Sequence, residues 1–224
     1  PGWPFLVESP VWASPLVVGD RLYIASMDHH VYALDAETGE QIWKVKTSGA
    51  LAAQPSLSLV GDTLYVGTFT AHTHAIDAAS GEIVDDFEFE AGNWNWSEVL
   101  VEEGELYVTS LDGKLYALDP ASGAEIPPYP FDSSEVSGQD DRLRAAPVPS
   151  GEAVIVATES GRVMSVVDAR AQWVWPSGTP QAQILTTPVV RDGTVYVVQM
   201  NGHVQTLDAE TGAQGWAFAP PEAD

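Results

Sequence analysis

Leu22 to Trp43 reads LYIASMDHHVYALDAETGEQIW, and the same pattern returns along the chain. Tyr23, Tyr65 and Tyr107 are spaced by 42 residues, and Ile155 and Tyr196 follow after 48 and 41. Self-similarity at a fixed period of this size means that one supersecondary unit is copied along the chain. The unit is all β. It opens on a Pro-containing apolar run, Ser14-Pro15-Leu16-Val17 in the first copy, and a turn marked by Gly19-Asp20. A strand follows: LYIAS, LYVGT, LYVTS, VIVAT or VYVVQ. Asp112-Gly113, Ser160-Gly161 and Asn201-Gly202 close it in three copies, and such dipeptides suit two-residue hairpin turns because Gly tolerates positive φ. A third strand (VYALD, THAID, LYALD, VMSVV or VQTLD) runs into Thr38-Gly39, Ser80-Gly81, Ser122-Gly123 or Thr211-Gly212. A fourth carries Trp43, Tyr129, Trp175 or Trp216.

Four antiparallel strands per copy, with both faces of the middle strands apolar, are what a propeller blade requires, because each blade is sandwiched between two neighbours. No window sustains a 3.6-residue period. Asp35, Asp77, Asp119 and Asp208 end the third strand, where a carboxylate can accept the N–H groups of the following turn. Val167 takes that place in the fourth copy, which makes it the most divergent.

The strand, Asp-Gly, Tyr-Ala-Leu-Asp, Thr-Gly, Trp order resembles the pyrroloquinoline-quinone-like repeat of bacterial and archaeal β-propellers, and the resemblance covers nearly the whole chain. It implies an all-β propeller of four-stranded antiparallel blades, in a family that normally builds seven or eight. The repeat serves quinoprotein dehydrogenases, envelope assembly scaffolds and sensor domains alike, so it specifies fold more than function.

The spacing divides residues 1–224 into one propeller domain. Residues 1–10 are expected to form the outer strand of a preceding blade, with blades at 11–47, 48–90, 91–133, 134–178 and 179–220. Trp3 stands 12 residues before Pro15 as Trp43 stands 12 before Pro55, which gives Gly2 to Val7 that outer-strand reading. Five blades and one strand left over suggest most of a larger ring, with a self-closed five-bladed ring as the lesser alternative, and the start at Pro1 without Met suggests a mature or excised segment. No run of about 18 apolar residues is present, and no basic region followed by an apolar stretch opens the sequence. There is no cysteine, hence neither a disulfide nor a thiolate metal site.

The 32 acidic and 9 basic residues give a net charge of −23. Such a surface repels nucleic-acid phosphates and anionic lipid, so neither nucleic acid nor direct membrane insertion is expected. Adaptation to salt or an acidic milieu and complementarity to a basic partner are the two readings of the charge. Strand direction places Asp20, Glu37, Glu40, Asp62, Glu82, Glu102, Glu103, Glu105, Glu152, Asp192 and Glu210 in or beside the turns of one end of the blades.

The other end carries a different set. The residue just after the turn between strands two and three is His30, His72, Lys114, Arg162 and His203 in the five copies. These residues are either simply solvated or able to bind an anionic ligand or tail. The same end receives the blade-to-blade links, which bring Trp12, Trp94 and Trp96. Aromatics there either pack between blades or anchor a ligand or protein. Trp43, Trp175 and Trp216 are read as structural. The longest link, Phe131 to Arg144, has the composition of a mobile surface loop.

Three function classes follow. The first is a non-enzymatic interaction module or scaffold binding a protein partner through Trp12, Trp94, Trp96, His30, His72, Lys114, Arg162 and His203. The alternative is binding of a small molecule or glycan by the same end. The third, a quinone-cofactor dehydrogenase, needs by resemblance a Cys pair and a carboxylate-rich calcium site. The chain has no Cys and no Asp-x-Asp-x-Asp-Gly loop, so no cofactor, no catalytic residue and no metal site is expected. The resemblance implies an extracytoplasmic location.

Overall fold

Five four-stranded antiparallel sheets succeed one another along the chain in the computed structural model, which describes residues 3–51, 57–138, 141–180 and 182–221. The first holds β1 (Leu16–Val18), β2 (Arg21–Ser26), β3 (His30–Asp35) and β4 (Gln41–Lys46); the second holds β5 (Leu57–Val60), β6 (Thr63–Gly67), β7 (His72–Asp77) and β8 (Phe89–Glu90). The third comprises β9 (Leu100–Glu102), β10 (Glu105–Thr109), β11 (Lys114–Leu118) and β12 (Phe131–Asp132). The fourth comprises β13 (Val148–Ser150), β14 (Ala153–Ala157), β15 (Val163–Val167) and β16 (Arg170–Trp175). The fifth comprises β17 (Val189–Arg191), β18 (Thr194–Val198), β19 (Val204–Asp208) and β20 (Gln214–Phe218). Strands pair only with their sequence neighbours, the up-and-down order of a propeller blade. One single-turn helix, α1 (Ser134–Ser137), is the only helix among the described residues.

The chain forms two compact units, residues 1–106 with 118–124 and residues 107–117 with 125–224, and their boundary runs through the third sheet. In unit 1, Tyr23, Val31, Ala33 and Trp43 of the first sheet pack with Leu64, Val66 and Ile76 of the second. In unit 2, Ile155, Ala157 and Val163 pack with Val195, Val197 and Leu207. Within each unit neighbouring sheets thus bury the apolar residues of their middle strands against one another. Each fully buried Leu or Ile contributes roughly 1.5–3 kcal/mol of transfer free energy.

The turn after the third strand is built by its Asp. Asp35 Oδ1 accepts the Thr38 N–H at 2.6 Å and its hydroxyl at 2.8 Å, and Asp77, Asp119 and Asp208 repeat the arrangement with Ser80, Ser122 and Thr211. These hydrogen bonds hold all four carboxyls below the ordinary Asp value. Beyond the turn, Gly81 has φ +79°, and a Cβ there would stand 2.6 Å from the Trp43 ring. Trp43 lies flat on that glycine and donates Nε1–H to Ala78 O at 3.1 Å, so the outer strand of one sheet is keyed into the turn of the next. Trp173 keys onto Gly212 and Ala209 O in the same way.

Five expectations need amendment. Trp173, not Trp175, is the fourth-copy equivalent of Trp43: it sits opposite Ser165 as Trp43 sits opposite Ala33. The fourth copy closes with positive φ at Asp168 and Ala169, a two-residue turn that removes the longer Asp-x-x-Thr-Gly connection and shifts the tryptophan count. Residues 3–7 carry no strand, yet Trp3 lies on Gly39 as Trp43 lies on Gly81; the side-chain key is kept without a backbone ladder. Pro1 and Gly2 lie outside the described residues. In the third sheet the fourth strand, β12, begins at Phe131 and does not carry Tyr129, since the prolines at 127, 128 and 130 cannot donate to a ladder; in the second the outer strand breaks at Asp85-Asp86, leaving an Ile76–Ile83 bridge and the short β8.

The Phe131 to Arg144 link is the fifth, because two of its polar residues, Ser133 and Asp141, are anchored rather than solvated. Ser133 and Asp141 are buried, with Ser133 Oγ donating to Asp141 O at 2.8 Å. Asp141 accepts the Ser160 N–H at 3.0 Å and the Ser160 hydroxyl. Residues 139–140 lie outside the described residues.

Candidate interaction site

The geometry sorts the turns as strand direction predicts. Ala36 N–H donates to Asp20 O and Ala78 N–H to Asp62 O, joining the first turn of each sheet to its third at one end. At the other end, the second turn donates to the incoming link: Met27 N to Pro10 O, Phe69 N to Ala50 O, Glu159 N to Arg142 O and Met200 N to Gln183 O. Within its own unit each candidate residue belongs to this second end: Trp12, Trp94, Trp96, His30 and His72 in unit 1, and Lys114, Arg162 and His203 in unit 2.

The aromatic part is in unit 1. Asn95 ties its link to the second turn of the second sheet, donating from Nδ2 to Ala71 O at 2.9 Å and to Thr73 Oγ1 at 3.0 Å. Gly67 leaves room for it: a Cβ there would stand 2.8 Å from that of Asn95. With Asn95 fixed, Trp94 and Trp96 both stack on Phe69, each with centroids 4.9 Å apart and planes within 30°, and lie 6.4 Å from each other. Trp96 is half-buried, whereas Trp94 remains 44% exposed. Trp12, two residues past the Pro10 carbonyl that holds its link, is 55% exposed. Sequence reasoning missed Phe69; a large aromatic inside a hairpin turn was the available signal.

The titratable positions fall into two kinds. His30 and Lys114 begin their strands, and His203 immediately precedes its own, with N–H groups donated to Asp28, Asp112 and Asn201 side chains at 3.0–3.1 Å, so the turn residue sets their direction. His30 also donates Nδ1–H to Asp28 O at 2.8 Å, and His72 does the same to Thr70 O. His72 Nε2 stands 3.7 Å from Glu90 and its ring stacks on His74. His74 accepts the Ser48 N–H on Nε2 and contacts the Ser48 hydroxyl at 2.9 Å. Burial, with the neighbouring His72 adding to it, pushes His74 below the usual imidazole range. Arg162 differs, because its Nη1 donates to Pro176 O and Gly178 O at 3.0 Å each and so holds a turn. Among the described residues no group of three or more His, Asp or Glu side chains is placed to hold a metal ion.

Repeated four-stranded antiparallel sheets, four of the five closed by an Asp turn and three of those turns keyed by a tryptophan, define a β-propeller repeat protein. The family model described as outer membrane protein assembly factor BamB matches residues 1–92, 72–175 and 131–223, and the chain belongs to that family. The BamB of Salmonella typhimurium is 33% identical over an 85-residue alignment that takes in 34% of this chain and 22% of the relative. That of Escherichia coli is 31% identical over the same shares. The crystal structure of BamB from Moraxella catarrhalis superposes with a TM-score of 0.76 at 18% identity, over 96% of this chain and 63% of that one. The chain thus matches about a fifth of the length of the curated relatives.

Proposed function

We propose that the chain is a non-enzymatic β-propeller module that binds a protein partner in outer membrane protein assembly, outside the cytoplasm. Membership of a family described as an assembly factor supports the general reading. The observation that carries the local one is the Trp94–Phe69–Trp96 stack, which leaves a rigid, exposed indole at the link end of unit 1. Rigid aromatics anchor protein interfaces because they bury large area at little conformational cost. Trp12, His30 and His72 stand at the same end of unit 1, and Lys114, Arg162 and His203 hold the equivalent repeat positions in unit 2.

The first turns of unit 1 carry Asp20, Asp62, Glu102 and Glu103, whose like charge disfavours any but a basic partner. Trp94→Ala should cost about 1–3 kcal/mol of partner binding, roughly five- to a hundredfold in Kd. A combined Glu102→Gln, Glu103→Gln and Glu105→Gln variant should bind as the parent does. Calorimetric titration against a partner recovered by cross-linking tests both; loss in the glutamate variant with retention in Trp94→Ala would place binding at the acidic end.

A further inference from the structure

The fourth blade departs from the other copies at one rung, and the departure builds a pocket. Across that rung Val31 faces Val45 in the first blade and Val204 faces Phe218 in the fifth, whereas Val163 faces Trp175. Of these three side chains only Trp175 brings a hydrogen-bond donor. Its Nε1 is buried and meets no acceptor among the described residues. The adjacent Arg162 likewise has a buried Nε with no acceptor among them. Its Nη1 is spent on two carbonyls, which orient the guanidinium without neutralising it. His72 and Lys114 face Glu90 and Asp132 across their rungs, but Arg162 joins none of the ion pairs among the described residues.

Trp175 and Pro176, the residue whose carbonyl Arg162 holds, line a cleft with Thr179, Gln199, His203 and Gln205, all within unit 2. Its volume is about 160 Å³, and no lining residue is Asp or Glu although 32 of the 224 residues are. Gln205 Nε2 is already committed to Thr206 O at 2.7 Å, and the other donor-bearing residues of the lining include Gln199, His203 and Trp175, whose Nε1 is buried in the cleft wall. Buried donors without acceptors are costly, and a cation that is oriented but not neutralised adds a field favouring negative charge. An acceptor-rich anion on a short stem satisfies both.

We propose that this cleft is a carboxylate-binding pocket, taking either a small free carboxylic acid or the carboxylate of a polypeptide, with Trp175 Nε1–H as the central donor. Two residues predicted at separate repeat positions, Arg162 and His203, thereby meet at one site, Arg162 by positioning its wall. The pocket stands or falls independently of the aromatic site in unit 1.

Indole ¹H–¹⁵N spectra of the full chain test it, with the Trp175 signal assigned through Trp175→Phe. Acetate should move that signal saturably and acetamide should not, since the two differ chiefly in charge. A tetrapeptide with a free C-terminus should bind where its amidated form does not, and Trp175→Phe or His203→Gln should weaken it about tenfold. A free-ended peptide that binds more tightly than acetate assigns the pocket to polypeptide carboxylates, and one that binds no better assigns it to small acids. An unmoved Trp175 signal, an equal response to acetamide, or binding indifferent to both substitutions would overturn the proposal.

Discussion

A single carboxylate repeated four times does much of the local folding. Asp208 accepts the Thr211 hydroxyl at 2.7 Å, its N–H at 2.8 Å and the Glu210 N–H at 3.2 Å, and these bonds exist at full strength only while the group is ionised. Its folded pKa lies below the unfolded value of about 3.9. The stabilisation is therefore complete above that value and is lost as pH falls through the folded pKa. Urea unfolding of the parent and of Asp208→Asn at pH 6 and pH 3 checks this: the parent's advantage should be present at pH 6 and shrink at pH 3. An advantage that is equal at both would remove the carboxylate from the account. The same four residues were legible in the sequence because a short acceptor before a Thr-Gly or Ser-Gly turn has one economical use.

At the scale of elements, the tryptophan keys hold neighbouring blades together within each unit. Gly81 and Gly61 both have positive φ, +79° and +56°, but only at Gly81 would a methyl strike the Trp43 ring; nothing lies within 4 Å of the other. Gly61→Ala should cost about 1 kcal/mol for the backbone alone, and Gly81→Ala about 2–3 kcal/mol once the clash is added. Equal midpoints in denaturant melts would mean that the key carries no strain. Period and turn chemistry made the strands readable, but not the pairing of Trp173 with Gly212, because two tryptophans stand two residues apart in one strand and the shortened turn decides between them. The Phe131 to Arg144 link misled for a related reason: Ser133 and Asp141 are polar in composition, yet their partners, Gly113 and Ser160, come from distant turns. Phe69 escaped because stacking between a turn and a link leaves no periodic trace.

For the molecule as a whole, the charge of −23 and the aromatic stack make opposite demands on a partner. Acidic turns select for basic surfaces and act at a range set by salt, about 8 Å at physiological ionic strength, whereas an exposed indole selects by shape and desolvation. The chain belongs to a family described as an outer membrane protein assembly factor, while the matched share of the curated relatives, 22%, leaves the contact surface to be argued from this chain's own residues. Those residues favour the link end of unit 1. The most direct measurement is photo-cross-linking in cells from a benzophenone side chain placed singly at positions 94, 12, 82 and 103. Adducts with outer membrane assembly proteins from positions 94 and 12, and none from 82 and 103, are the predicted result; adducts confined to 82 and 103 would contradict it.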